Sequence, residues 1–360
     1  MGSPDASRGF TAQRNQAICS LGLLAVLVGT CLVTDQLARN RGLELSLMAK
    51  SRDFADKTGT LFSQTGNFID FEERVLLDEL PRADYSRGGV YFFGTSNMKW
   101  AFQTWDFPAE LKRLIGNYGI GASSHTTQLR LIRFLAEQRG FLTAGERDLV
   151  ILGVSFHLAR KEPSTGFFAS LLHRHGLYTM TSDNRTAPVP MSAIERWLRI
   201  EKARSGGFLW NFGRLAKGWA ATLGGWHRTP PHDGAKYRQA WREFMGPDWQ
   251  HNMDAEVERL RQTIALLGAH HAKVKVMLLP QGTWMDALPF KARYESQVRT
   301  VCQETATPLI DLSRALPDED FVDSNHLTVK GQEAFRGLIM GGIMEHLQNV
   351  EKVYLPPVQR

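Results

Sequence analysis

"VYFFGTSN", residues 90–97, is the stretch on which the reading of the chain turns. A run of apolar β-formers, Val90 to Phe93, stops at Gly94; Thr95, Ser96 and Asn97 then lead into an aromatic-rich, helix-like stretch from Met98. An apolar run without polar alternation suits a strand of a parallel sheet, buried on both faces. A serine just past such a strand has two readings. It can cap the helix that follows. It can also be a nucleophile, provided that a base lies within reach and a third group orients the base.

Working outward, the same kind of run recurs. "RLIGNYGIG" ends near Gly121, "DLVILGVS" spans 148–155, "VKVMLLP" spans 274–280 and "TPLIDLS" spans 307–313. Helical patterns lie between them: Leu129, Ile132, Leu135 and Ala136 share one face, as do Val257, Leu260, Ile264 and Leu267. Strand and helix in alternation predict an α/β fold, a three-layer flavodoxin-like sandwich around a five-stranded parallel sheet. Ligands of such sheets bind outside the carboxyl ends of the strands, where Ser96 stands.

The chain has 360 residues, 43% of them apolar and 22% charged, with a formal net charge of +6. That describes a folded globular protein with room for a large core. Zinc-finger spacing, RNA-binding aromatic signatures and long basic runs are absent from the sequence, so nucleic acid is not an expected partner. "AICSLGLLAVLVGTCLV", residues 17–33, carries no charge, and with Gln16 and Thr34 it reaches about the minimum length of a bilayer span. The expected organisation is a cytoplasmic tail over 1–16, a transmembrane anchor over 17–34 and a connecting arm over 35–85. The α/β domain follows over 86–350, with an insertion at about 161–250. A cleaved signal peptide and a lipid-modified Cys31 are the competing readings of the apolar segment. The anchor reading places the chain in a bacterial inner membrane, with the large domain facing the periplasm or cell exterior, because long domains cross largely regardless of flanking charge.

A base for Ser96 is sought next. "DFVDSNHLTVKGQEAF", 320–335, holds Asp323 and His326 three residues apart. On a turn, that spacing lets the two side chains meet. Asp323 can hold one ring nitrogen of His326 and leave the other free to take the Ser96 proton, with a helix after Thr328 anchoring the loop. Asp318, Glu319 and Asp320 read as a solvated turn.

The order of these blocks resembles the SGNH (GDSL-type) hydrolase superfamily over roughly 86–160 and 255–345. "FFGTSN" puts Ser96 at the nucleophile position. "NYGIGASSHTTQL", 117–129, is similar to the family's second block, with Ala122 where the family places a glycine that donates its backbone N–H to the oxyanion. "GVSF", 153–156, puts Ser155 where the oxyanion asparagine stands. Asp323 and His326 match the last block. The resemblance implies a catalytic Ser96, Asp323 and His326, an oxyanion hole from Ser96, Ala122 and Ser155, and no metal or cofactor. Asn97, Gly121 and His125 are expected to contact substrate. The departure at Ser155 and the apolar segment resemble a membrane-anchored subgroup that works with membrane-bound O-acyltransferases on surface polymers. The implied activity is O-acyl, above all acetyl, esterase or transferase chemistry on a cell-surface polysaccharide or other acylated glycan. A non-catalytic scaffold subunit of such a complex is the alternative.

Two features stand apart. His173 with His175, and His270 with His271, lack metal-ligand spacing with other residues. Residues 195–227 interleave Trp197, Trp210, Trp219 and Trp226 with Arg and Lys. They suit a membrane-interface surface, a carbohydrate platform or an amphipathic lid.

Overall fold

A computed structural model of the protein describes residues 19–30, 32–33, 36, 83–103, 106–108, 111–161, 175–181, 185–203 and 232–352. The central sheet is parallel, with β1 (Gly89–Gly94), β2 (Ile115–Gly119), β3 (Asp148–Val154), β6 (Lys273–Leu278) and β7 (Leu309–Asp311) in the order β2-β1-β3-β6-β7. These are the five runs expected from the sequence. Between β3 and β6 a separate antiparallel pair, β4 (Tyr178–Met180) and β5 (Thr186–Pro188), is formed.

Every residue of β1, β2 and β3 is buried. Successive strand side chains point to opposite faces, so both faces must be covered. On one face Phe92 stacks on Phe102 (ring centroids 4.5 Å apart), and Phe102 meets Phe335 at 5.1 Å. On the other, Tyr91 and Phe93 both pack on Phe141, at 4.9 and 5.8 Å. Phe92, Phe93, Phe102 and Phe335 have no exposed surface; full burial stabilises by about 1.5–3 kcal/mol per large apolar side chain.

The helices fall into two sets. α1 (Ser96–Ala101) packs with α7 (Val329–Lys352). α2 (His125–Arg139) packs on α5 (Trp249–Ala269), which also packs on α6 (Pro289–Glu304). Caps set the ends: Ser124 Oγ accepts the N–H of Thr127 at 3.1 Å, and Gly140, at φ 68°, closes α2 in the left-handed conformation. Thr328 Oγ1 accepts the N–H of Gly331 at 2.9 Å at the start of α7, the helix expected after Thr328. Two more helices, α3 (193–203) and α4 (Gly234–Met245), lie between β5 and α5.

The N-terminal apolar segment is helical over 19–30 with its side chains exposed. Among the described residues no helix is long and apolar enough to cross a membrane, and residues 17, 18, 31 and 34 of the expected span lie outside them. The tail over 1–16 and Cys31 lie outside the described residues, as do nearly all of 35–85 and Trp210, Trp219 and Trp226. Trp197 is on α3 and 56% exposed, beside exposed Ile194 and Leu198.

Candidate active site

The strand order reverses between β1 and β3, and both strands end at this crevice. Gly94 closes β1 where only a glycine fits. A Cβ there would lie 2.4 Å from Met98 Cγ and 2.7 Å from the Gly153 carbonyl oxygen of β3. The chain therefore turns tightly against its neighbour and delivers Ser96 just beyond the sheet. Thr95, not Ser96, is the N-cap of α1. The Ser96 hydroxyl lies 2.9 Å from Nε2 of His326, which answers the choice between cap and nucleophile-like placement in geometric terms.

His326 comes from the loop before α7. Asp323 Oδ1 accepts the backbone N–H groups of Asn325 and His326, each at 2.8 Å, while Oδ2 lies 2.8 Å from His326 Nδ1. The Asp-x-x-His spacing thus folds into one tight turn, because a single carboxylate closes the loop and orients the ring. The turn is pinned from outside. Val322 donates its N–H to the His326 carbonyl at 2.8 Å and Thr328 donates to the Asp320 carbonyl at 2.8 Å. Trp284 Nε1 donates to the Ser324 carbonyl at 3.1 Å. Burial pushes the Asp323 carboxyl up, but the hydrogen bond and charge of His326 and the two backbone N–H groups outweigh it and hold it below the usual carboxylate range.

Asn97 is corrected by the structure. It was expected to contact substrate, yet it is 4% exposed and its Nδ2 donates to the Asn325 carbonyl at 2.9 Å. It ties the first turn of α1 to the His326 loop. His125 is corrected too. It is 1% exposed, its Nε2 lies 2.7 Å from the Tyr294 hydroxyl of α6, and burial pushes its ring down to about 3. The first turn of α2 points between helices and not into the crevice. The acidic turn is less solvated than its composition suggests, since Asp320 is 4% exposed and Asp318 accepts the Thr283 N–H at 2.8 Å.

The second block builds the facing wall. Asn117 is buried; its Nδ2 is 2.8 Å from the Phe102 carbonyl and 3.1 Å from those of Met98 and Lys99, and its Oδ1 accepts the Gly119 N–H at 3.0 Å. It fixes the C-terminal end of α1 against β2. Gly121 is partly exposed and Ala122 exposed in the turn that follows. Ala122 has φ 54°, a conformation that favours glycine and costs an L-residue about 1 kcal/mol. Its carbonyl accepts a hydrogen bond from Arg160, which joins this turn to the segment after β3. Arg160 carries no motif signature, and only the fold brings it here.

Ser155 follows the last residue of β3, is 2% exposed, and its Oγ has no hydrogen-bond partner among the described residues. The short 3-10 turn Phe156–Ala159 follows and holds His157. Among the described residues no group of three His, Cys, Asp or Glu is arranged to hold a metal ion.

No protein-family profile and no curated protein sequence matches the chain. Among solved structures it is similar to a protein of Bacteroides fragilis assigned as an acylhydrolase, at 15% identity and a TM-score of 0.39, covering 76% of this chain and 94% of that one. It is also similar to a GDSL-like lipase of Bacteroides thetaiotaomicron, at 10% identity and a TM-score of 0.39, covering 78% of this chain and 99% of that one.

Proposed function

We propose that the chain is a serine-dependent acyl esterase or acyltransferase in which Ser96 is the nucleophile, His326 the general base and Asp323 the group that orients His326. The observation that carries the reading is the continuous relay from Asp323 Oδ2 through His326 to Ser96 Oγ, with links of 2.8 and 2.9 Å. Both lie within the reach that proton transfer requires. Ser96 Oγ attacks the acyl carbonyl carbon while its proton passes to His326 Nε2. The carbonyl π electrons move to oxygen. The backbone N–H groups of Ser96 and Ala122 and the Ser155 hydroxyl hold that oxyanion. Ser96 is the first residue of α1, so its N–H has no intrahelical acceptor. Collapse of the intermediate expels the alkoxide, which takes the proton from His326. The acyl group then passes to water or to a sugar hydroxyl by the same steps in reverse.

The substrate class is an acylated surface polysaccharide or similar glycan, with a membrane-bound O-acyltransferase as partner and the bacterial inner membrane as location. The exposed apolar helix over 19–30, with Leu21, Leu23, Leu24, Val26 and Leu27 each more than half exposed, supports an anchor in lipid. Full-length protein should pellet with membranes and resist high salt; release by salt alone would exclude an anchor. A scaffold subunit is the second reading, favoured by Ser155, whose side chain is shorter than an asparagine's. Turnover of 4-nitrophenyl acetate decides between them. It should be slow in the parent and vanish in Ser96→Ala, whereas equal rates in the two would leave the scaffold reading.

A further inference from the structure

Beside the relay lies a group of buried polar atoms that the scheme above uses only in part. Ser155 Oγ, His157 Nε2 and Trp241 Nε1 are all buried and, among the described residues, all without a hydrogen-bond partner. Native proteins leave few such atoms, since each costs about 1–3 kcal/mol. Three from one neighbourhood need a reason. Ser155 and His157 are 2% and 6% exposed and sit on either side of Phe156, just past the end of β3. Trp241, from α4, stacks on the His157 ring at 4.0 Å and 5° between planes, which fixes the ring's orientation. β3 pairs with β1, whose end carries Ser96, so the turn that holds His157 lies at the same end of the sheet as the relay; the charges of His326 and Asp323 both act on His157. Burial, with smaller effects from His326 and Arg160, holds the ring down to about 3, so it stays neutral at any working pH.

All three atoms can donate, and the indole N–H can do nothing else. A hydroxyl and an indole N–H donate, and a neutral imidazole donates from whichever nitrogen carries its proton. A surplus of donors at the end of the strand beside β1 fits an oxygen that gains negative charge. We propose that His157, as its Nε2–H tautomer, is a catalytic residue that donates to the acyl oxygen at Ser96 and supplies the oxyanion stabilisation that Ser155 alone cannot reach. This rests on the serine chemistry proposed above. Trp241 is a positioning residue, because it acts through the His157 ring.

The test uses the full chain and a fluorophosphonate probe. Ser96 Oγ forms a bond to phosphorus, the P–F bond breaks, fluoride leaves and the Ser96 proton passes to His326. The phosphoryl oxygen then occupies the place of the acyl oxygen. His157→Phe keeps a flat ring against Trp241 but loses the donor; His157→Gln loses the ring but keeps an N–H. Loss of an oxyanion donor slows reaction by about 10²–10³. His157→Phe should therefore label on the order of a hundredfold more slowly than the parent, and His157→Gln at least about tenfold faster than His157→Phe. A packing role predicts the opposite order, so His157→Phe labelled as fast as, or faster than, His157→Gln overturns the assignment. A second measurement needs no variant. In protein carrying isotope-labelled histidine, the Nε2–H of His157 should exchange with solvent more slowly once the probe is on Ser96, and unchanged exchange overturns the assignment as well. Failure of the underlying reading looks different: the parent would label no faster than Ser96→Ala, and the inference would fall with it.

Discussion

Replacing Asp323 by asparagine separates the loop's architecture from its chemistry. Asp323 has two jobs on two oxygens. Oδ1 accepts the N–H groups of Asn325 and His326, and Oδ2 faces His326 Nδ1 at 2.8 Å. An asparagine carbonyl in the Oδ1 position keeps both backbone bonds. Its NH₂ then faces Nδ1 and must donate, so Nδ1 loses its proton and Nε2 gains one. His326 can then no longer accept the Ser96 proton across the 2.9 Å contact. An inverted tautomer costs on the order of 10⁴ in kcat, about 5.5 kcal/mol at 1.36 kcal/mol per tenfold. The stability cost should be small, about 1 kcal/mol, because both charge-assisted bonds to the backbone become neutral ones and the side chain is 41% exposed. Asp323→Ala strands both N–H groups and the ring together, so it should lose activity and also melt clearly lower. The assays are 4-nitrophenyl acetate turnover and thermal melting on the same preparations. Asp323→Asn retaining more than about a third of parental kcat would refute the orienting role. Equal melting of the Asn and Ala variants would refute the division of labour between the two oxygens.

Three further outcomes follow from the same contacts. Asn97→Ala should lower kcat and leave KM unchanged, since its amide holds the Asn325 carbonyl at 2.9 Å; a raised KM at parental kcat would restore the substrate contact expected from the sequence. Gly94→Ala should destabilise by at least about 2 kcal/mol and abolish activity, because the methyl would sit 2.4 Å from Met98 and 2.7 Å from the Gly153 oxygen; parental melting would contradict the packing at the strand end. Burial pushes the Asp148 carboxyl up to about 6, so the folded state holds its proton more tightly than the unfolded one, whose value is about 3.9. Stability should fall as pH rises from about 4 to 6, with the penalty full above 6, and Asp148→Asn should recover up to about 3 kcal/mol in urea denaturation at pH 8 and far less at pH 4; an identical gain at both would show that the carboxyl's charge is not the cause.

What the sequence made legible was what local rules govern. The strands stood out because a strand covered on both faces has no polar alternation, and Tyr91 and Phe93 pack as tightly on one side as Phe92 does on the other. The Asp323–His326 contact was legible because the partners are three residues apart and a turn must bring them together. Asn97 and Asn325 are separated by 228 positions, so the bond between them is a product of topology. His125 was misread for a related reason: its place after a crevice turn suggests access, but the first turn of α2 faces Tyr294 and Glu256, and Glu256 also accepts the Thr126 N–H at 2.8 Å. Trp241 carries no motif at all, and its meeting with His157 exists only once α4 is folded against the 3-10 turn after β3.

That meeting bears on the oxyanion donors proposed above. An oxyanion site is judged by donors at one point in space, not by one residue type at one sequence position. β3 delivers Ser155 and, two residues later, His157 to the same end of the sheet, and the region between β3 and α5 delivers α4, whose Trp241 sets the plane of the His157 ring. Tyr237, one turn earlier on α4, stands near enough for the Asp323 charge to help push its hydroxyl up, after the larger effect of burial. One helix therefore packs both on Trp284, which holds the Ser324 carbonyl of the His326 turn, and on the His157 ring. If the proposed roles hold, shortening the insertion cannot be neutral. Removal of α4 should reduce labelling of Ser96 by at least as much as His157→Phe does, because it frees the ring that α4 orients and strips Tyr237 from Trp284, which pins the His326 turn. Labelling at the parental rate without α4 would mean that the wall it forms serves substrate choice and not the reaction itself.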